Sequence, residues 1–555
     1  MARRRERVGG LPPDLATVLR DIGSLLLMEA LVMSVSVGVA LLAGEFYSAL
    51  AFLLAGGITA GAGALARRLF ADAPAPVMKH GMVIAAGGWF AVAVFGALPF
   101  LLSAHLTPVA VMATYVPAGA AYDPVTVWGP ATQSSLAYFR SPLHALFESM
   151  SGWTGSGLTM AVHEPSLPRS IQWWRTVIQW VGGIGVIVLT VSILARPGSG
   201  SYALYRSETR EERIHPSVVS TVRTIWKIFV GYTALAVVVF FLALRASEYG
   251  ATLTLGEQAW QSLNHAMTGL STGGFSVTDN SIGTYNAPLI EAVLLPLMTL
   301  GAIAFPVHYV VLHDRRYREL LDDLQTRWLF VLLVVGSVLL AAQNVLTVAT
   351  SDYGASVAAP LVDRATADAV RDGVFQFVSA LTCTGFQSSP IGSWSAGGKL
   401  LLSVAMTVGG AAGSTVGGIK VIRAYTVARG IRWQFGRVFL PASAVVSVTI
   451  DGRRLDRGEM EREFAEAALI SLLWVLLLVA SSLVLVNVAG PDFGYADALF
   501  EVASAQGNVG ISTGITGPAM PPLAEAMFVL NMWVGRLEIV PVLVFGRALV
   551  KGLDP

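Results

Sequence analysis

The sequence predicts an all-α polytopic membrane protein: an N-terminal hairpin followed by four pseudosymmetric helix–re-entrant pore loop–helix repeats, with ten transmembrane helices in total. Three observations carry this fold class. Of 555 residues, 54% are hydrophobic and only 13% are charged, against roughly 25% charged in ordinary soluble proteins. Runs of roughly 20 apolar residues, each long enough to cross a hydrocarbon core, recur along the whole chain. Between later runs lie four shorter, half-apolar pieces that end in small residues at a common phase.

The spans are expected near 18–44, 47–66, 80–103, 171–194, 225–245, 288–312, 328–349, 398–428, 464–489 and 522–547. The basic start is followed by a long apolar run without a small-residue cleavage site, so it reads as a retained first span rather than a signal peptide. Arginine and lysine cluster in alternate connections. These clusters are Arg3, Arg4, Arg5 and Arg7; Arg67, Arg68 and Lys79; Arg206, Arg210 and Arg213; Arg315, Arg316 and Arg318; Arg429, Arg432, Arg437, Arg453 and Arg454; and Arg547 with Lys551. The connections 249–287 and 490–520 contain no Lys or Arg. By the positive-inside rule both termini are expected on the cytoplasmic side of the cell membrane. The expected units are a hairpin, 1–70, then pore repeats 71–200, 201–316, 317–440 (with an intramembrane gating loop) and 441–555. Net charge of +1 points to no nucleic-acid partner, and the single cysteine excludes an intrachain disulfide or a cysteine metal cluster.

The four pieces are HALFESMSGWTGSGLT (144–159), SLNHAMTGLSTGGFS (262–276), VFQFVSALTCTGFQ (374–387) and LFEVASAQGNVGIS (499–512). Each reads as a helix too short to cross, followed by a turn back toward the outside. Gly157, Gly274, Gly385 and Gly510 correspond, 117, 111 and 125 residues apart; four similar motifs at similar phase signal internal repetition. Irregular backbone at membrane depth is tolerated where it lines a water-filled path or is buried in protein. Four such loops on one axis offer rings of carbonyls that replace the hydration shell of a cation. Glycine permits the φ angles this requires. The expected filter comprises Thr154, Gly155, Ser156 and Gly157; Ser271, Thr272, Gly273 and Gly274; Thr382, Cys383, Thr384 and Gly385; and Gly507, Asn508, Val509 and Gly510. A carboxylate ring would suit divalent ions better, and none stands in these loops.

With STGGF at 271–275, TCTGF at 382–386, GGAAGSTVGGIKVIR at 409–423 and NMWVGRLEIVPVLV at 531–544, the chain resembles the Trk/Ktr/HKT superfamily of potassium transporters over about residues 18–550. The extra N-terminal hairpin resembles its TrkH branch. The resemblance implies four-fold pseudosymmetric, potassium-channel-like subunits in one chain. It further implies a homodimer with one pore per protomer, and control by a cytoplasmic nucleotide-binding subunit of RCK (TrkA-like) type. The arginine-bearing segments 206–227 and 313–327 are the surface where that subunit would dock. The chain departs from the TrkH pattern at Val416, which interrupts the glycines after GST, and at AQGNVG, which is closer to Ktr-type members.

Glycine density argues that the eighth span is broken in the middle, making Gly409, Gly410, Gly413, Ser414, Thr415, Gly417, Gly418 and Lys420 a candidate gate below the filter. Arg536 lies within the last expected span, and a charge there is a functional candidate because of its insertion cost. Glu538 is a poor partner for it, since residues two apart face different ways on a helix. The resemblance implies that this arginine faces the pore. Gly182, Gly183 and Gly185 read as helix-packing residues, and Cys383 as a packed small side chain contributing its carbonyl. GAAGSTVGGIK lacks the Gly-Lys-Ser/Thr of a phosphate-binding loop, and no histidine stands in a zinc-like motif.

The function expected is potassium uptake through a gated, carbonyl-lined filter, with K+ ions in the pore, no covalent cofactor and no enzymatic activity. The alternative is a secondary carrier for another monovalent cation, sodium or ammonium. Carriers usually show two-fold inverted repeats, whereas these four share one orientation.

Overall fold

A computed structural model of the chain describes residues 11–194, 218–351, 364–439, 441 and 447–553. Arg3, Arg4, Arg5, Arg7, Arg206, Arg210 and Arg213 lie outside the described residues, as does the boundary drawn at residue 200. Among the described residues, six helices are long and apolar enough to cross a membrane: Pro13–Leu42, Phe46–Leu69, Lys79–Leu106, Val219–Ala246, Leu324–Val348 and Arg457–Val488.

The other expected spans take different forms. Two are sharply bent pairs: Pro288–Ala302 with Phe305–His313, at 106°, and Pro522–Leu537 with Val540–Lys551, at 114°. The expected spans 288–312 and 522–547 are thus each broken into two helices rather than continuous. Both have backbone causes. Ile303 and Ala304 are extended, and Pro306 sits in the first turn of the helix that follows. Glu538 is left-handed at φ 57°, Ile539 follows at φ 62°, and Pro541 opens the next helix. Proline suits a first helical turn, where its missing N–H costs nothing. The region 398–428 is interrupted, with Ala396–Thr407 and Val421–Arg437 separated by an irregular segment. Finally, 171–194 lies inside helix Arg169–Leu194, which buries Gln172, Arg175, Thr176 and Gln179.

The N-terminal hairpin closes where small residues let the helices touch. A methyl on Gly23 would lie 2.8 Å from the Gly63 carbonyl oxygen, and one on Gly63 would meet the Gly23 carbonyl at 2.7 Å, a small-residue contact typical of membrane helices. Glu45, in the hairpin turn, accepts from the Arg169 and Ser170 backbone N–H groups at 2.6 and 2.9 Å. It thereby satisfies the open N-terminus of helix Arg169–Leu194 and complements its dipole.

The four half-apolar pieces form short helices, Pro142–Thr154, Leu255–Leu270, Arg364–Leu381 and Tyr495–Gly507. We call them pore helices 1 to 4. Polar contacts tie the segment after each one to the next. Gln172 and Thr176 hydrogen-bond to Trp260 (2.7 Å) and Asn264 (2.5 Å) of pore helix 2. Glu291 meets Arg371 of pore helix 3 at 3.3 Å, and Lys399 meets Asp497 of pore helix 4 at 2.6 Å. Glu525 lies 2.7 Å from Nδ1 of His144 on pore helix 1, which closes the circuit. Inside it runs one large apolar core that includes Phe147, Phe386 and Phe500, while the buried Phe275 lies under the Arg175 guanidinium.

One small departure from helix is a hairpin in which Val448–Ile450 pairs with Arg453–Leu455 in antiparallel register, Ile450 opposite Arg453. Asp451 and Gly452 both have positive φ, as the two-residue turn of a tight hairpin requires. Val448, Ile450 and Leu455 pack on Trp433 and Leu324 in a separate cluster.

Candidate functional site

Each pore helix ends in the same backbone pattern. The first residue past the helical turn donates its N–H three residues back: Gly155 to Gly152, Thr272 to Gly269, Cys383 to Ala380 and Asn508 to Ala505, at 3.0–3.2 Å. The next residue donates five back: Ser156 to Ser151, Gly273 to Thr268, Thr384 to Ser379 and Val509 to Ser504, at 2.8–2.9 Å. This is the helix-terminating arrangement in which a left-handed residue turns the chain and closes the last carbonyls. Gly155, Thr272, Cys383 and Asn508 are left-handed, with φ of 67°, 51°, 49° and 54°. Two residues later Gly157, Gly274, Gly385 and Gly510 are left-handed again, at 81°, 74°, 82° and 102°.

The four loops meet in a closed ring. A methyl group on Gly157 would collide with the carbonyl oxygen of Gly273, one on Gly274 with that of Thr384, one on Gly385 with that of Val509, and one on Gly510 with that of Ser156. Each glycine therefore faces the residue before the corresponding glycine of the next loop, and the fourth returns to the first. Glycine is required twice over, by its φ and by the absence of space for a Cβ.

Seven of the sixteen expected filter residues are glycines, and the nine side chains of the others turn into packing or hydrogen bonds. Thr154 donates to the Met150 carbonyl (2.7 Å), Thr382 to Val378 (2.7 Å), Ser271 to Thr268 (3.3 Å), and Asn508 through Nδ2 to Met532 (2.9 Å). Thr384 Oγ1 lies 2.8 Å from Thr382 Oγ1, and Cys383 is a fully buried free thiol. Ser156 and Val509 are buried, and Gly507 lies against the Met406 carbonyl.

On one side of the ring the four glycines line a cavity of about 600 Å³, together with Thr159, Ser276, Gln387, Ser512 and the ionisable Glu164, Arg175 and Asp279. Burial pushes the Glu164 carboxyl up to about 8, with Arg175 opposing the shift. On the other side lies the irregular segment 408–420. Its backbone is satisfied by neighbours. Ala411 N–H donates to the Ala302 carbonyl (3.1 Å) and Thr415 N–H to Gly301 (3.2 Å), while Ala412 N–H donates to Gln325 Oε1 (2.8 Å). The Gly413 carbonyl accepts from Phe305 N–H (3.1 Å), and Gly409 N–H donates to Ile419 (2.9 Å). Gly410 accepts from Val421, Ser414 Oγ donates to Ala411, and Gly418 is left-handed at φ 68°.

This segment touches the pore-helix ends. Thr415 Oγ1 lies 2.9 Å from Thr272 Oγ1, and a methyl on Gly417 would collide with the Gly507 carbonyl. Arg536, in the last turn of Pro522–Leu537 rather than mid-helix, donates Nη1 to the Thr415 carbonyl at 2.6 Å. Its Nη2 donates to the Gly182 and Gly183 carbonyls at 3.0 and 3.2 Å. The two glycines thus also hold a cation while packing against Trp153 and Ser271. Glu538 pairs instead with Arg423 at 2.6 Å, with Lys420 3.9 Å away, and Lys420 donates to the Val416 carbonyl. Of the nine gate candidates, Thr415, Gly417 and Arg536 meet the pore-helix ends, and the others belong to the same irregular segment.

Sequence reasoning passed over Glu148 and Glu501, buried on pore helices 1 and 4. Each stands nine residues before its ring glycine and hydrogen-bonds to the chain just past it. Setting the four pieces in register on their ring glycines brings the two to one position.

Residues 80–551 match the family model for TrkH, described as a cation transport protein. The TrkH potassium uptake protein of Halomonas elongata is 30% identical over 96% of this chain and 98% of its own. An uncharacterised cation transporter of Methanocaldococcus jannaschii is 32% identical, covering 74% of this chain and 77% of that protein. The crystal structure of the potassium transporter TrkH from Vibrio parahaemolyticus superposes with a TM-score of 0.73 at 23% identity, over 96% of this chain and 98% of that one, which supports the fold. The chain is a multi-pass membrane protein and belongs to the TrkH family of cation transporters.

Proposed function

We propose that this chain is the potassium-conducting membrane subunit of a Trk-type uptake system. K+ passes through carbonyls of Thr154–Gly157, Ser271–Gly274, Thr382–Gly385 and Gly507–Gly510, with 409–418 and Arg536 as the gate. The observation that carries this reading is the cyclic contact of the four left-handed glycines with neighbouring carbonyls. Removing water from a cation in a low-dielectric medium costs on the order of tens of kcal/mol unless ligands replace it. Carbonyls packed round one axis provide neutral, closely spaced ligands for a monovalent ion. The Halomonas relative is named for potassium uptake, which agrees with this assignment.

Ten crossings with both termini cytoplasmic, four pore repeats, a homodimer and an RCK-type partner complete the proposal. The test is rubidium uptake into proteoliposomes, with competition by potassium, sodium and ammonium. Potassium should compete best. Absent uptake, or equal competition by all three ions, overturns the assignment. Full, nucleotide-independent flux in cells lacking every RCK-type protein removes the partner from it.

A further inference from the structure

The pore-helix position nine residues before each ring glycine carries Glu148, His265, Gln376 and Glu501 in turn. All four side chains are fully buried. The two glutamates hold the chain on the cavity side of the ring in the same way. Glu148 accepts from Thr159 Oγ1 and Met160 N–H, at 2.9 and 2.8 Å. Glu501 accepts from Ser512 Oγ and Thr513 N–H, at 2.6 and 2.7 Å.

Their charge balance differs. Glu148 lies 2.7 Å from Arg175 Nε, itself 1% exposed, so that carboxylate is neutralised in place. The other donors to Glu501 are Thr513 Oγ1 (3.1 Å), Ile515 N–H (3.2 Å) and Thr516 Oγ1 (2.7 Å). Every donor is uncharged, and Glu501 makes no ion pair among the described residues. Neutral donors satisfy oxygen lone pairs but cancel no charge. Lys399, the nearby cation bound to the same pore helix, is engaged with Asp497 at 2.6 Å. Ser512, Thr513 and Thr516, which contact Glu501, line the 600 Å³ cavity.

We propose that Glu501 stands as an unneutralised carboxylate one residue layer behind the cavity wall and sets the affinity with which that cavity collects cations, while Glu148 and Arg175 form a neutral counterpart. Glu501 is a positioning residue for segment 511–516 and, beyond that, a fixed charge. A buried charge acts over a longer range than an exposed one because little water screens it. The charge half of this proposal rests on the cation-conduction reading above but not on potassium in particular.

The experiment is the concentration dependence of rubidium uptake in proteoliposomes. Glu501→Gln removes charge and keeps the shape. It should raise KM about three- to tenfold at low ionic strength, with a smaller change in maximal flux and a difference that shrinks in high salt. Glu501→Asp keeps the charge and should hold KM near the wild-type value while losing flux. Arg175→Gln frees Glu148 from its counter-charge and should lower KM, which keeps the proposal testable where Glu501→Gln does not fold. An unchanged KM with reduced maximal flux in Glu501→Gln, an equal KM shift in Glu501→Asp, or an unshifted KM in Arg175→Gln overturns it. Thermal stabilisation of the purified protein by sodium, potassium, rubidium and ammonium separates the two readings. Weaker stabilisation of Glu501→Gln by whichever cation binds supports the charge even if rubidium flux is absent, and equal stabilisation refutes it.

Discussion

The ring and the segment that lies against it are both rich in glycine, yet they are held differently. In the ring, each glycine meets a backbone carbonyl of the next loop, and each preceding turn is closed by the same two backbone hydrogen bonds. Side chains brace it as well: Gln179 donates to the Gly273 carbonyl and accepts from Phe275 N–H, and Ser504 Oγ accepts from Gly510 N–H. In 409–418, backbone hydrogen bonds to Gly301, Ala302 and Phe305 are joined by three side-chain contacts. Arg536 reaches the Thr415 carbonyl, Gln325 receives Ala412, and the hydroxyls of Thr272 and Thr415 meet. A structure defined by backbone repeats is hard to alter without destroying it. The segment has no such repeat, and Arg536 ties it to the Gly182 and Gly183 carbonyls. That difference bears on the filter and gate roles proposed for the two.

The largest effect should follow from breaking the ring itself. Gly385→Ala places a methyl group on the Val509 carbonyl, at a φ of 82° that a side chain resists. Rubidium flux should fall to the level of empty liposomes, with the protein still extracted as a folded species. Substantial flux in that variant would mean that the ring is not on the ion path.

Arg536→Ala tests the latch. The guanidinium makes three hydrogen bonds to carbonyls, one of them on the gate segment. Hydrogen bonds from charged donors contribute about 1.5–3 kcal/mol each, and a buried positive charge also repels cations. Removing it should raise basal flux about tenfold or more. Lower flux in a well-folded variant would reassign Arg536 as a structural residue that joins Gly182, Gly183 and Thr415.

A selectivity change is a subtler way to perturb the ring. Gly157→Ser adds a side chain beside the Gly273 carbonyl in one loop only. Gly157 is the ring glycine with some exposure to the cavity, so the substitution should be tolerated better than at Gly385. The sodium-to-potassium permeability ratio should rise severalfold in bi-ionic recordings. An unchanged ratio would separate Gly157 from ion selection.

What was legible in the sequence follows from which positions need a particular residue. The ring glycines were visible because contact and φ both exclude a side chain. The left-handed position two residues earlier was not, since Gly155, Thr272, Cys383 and Asn508 share no chemistry and only glycine and asparagine favour that conformation. The bends at 303–304 and 538–539 contain no glycine. Their signal was the proline two residues beyond, in Phe305–Pro306 and Val540–Pro541, which opens a new helix. Arg536 was consequently expected mid-span, whereas it stands at a helix end, where its donors reach across to other segments. Glu148 and Glu501 escaped because glutamate on a short helix reads as a solvent-facing residue until the four pieces are set in register. The polar links from each segment to the next pore helix pair residues far apart in the chain, and one sequence does not couple them.

The smallest effect is expected at Val416, where the ring and the gate segment can be compared most finely. Its side chain is 2% exposed and sits 3.0 Å from the place a Cβ on Gly410 would occupy. Lys420 donates to its carbonyl, a contact that any residue at this position supplies. Its φ is not left-handed, so valine fits here without backbone strain. Val416→Gly therefore leaves the recorded hydrogen bonds of the segment in place, removes one packed isopropyl group and adds backbone freedom in the released state. A glycine exchange of this kind is worth about 0.4–1 kcal/mol, so basal rubidium leak should rise by about twofold to fivefold, below that of Arg536→Ala. The two variants are compared at matched protein density in the absence of any partner. A leak in Val416→Gly equal to or above that in Arg536→Ala would mean that side-chain packing, and not the arginine's hydrogen bonds, keeps the segment closed.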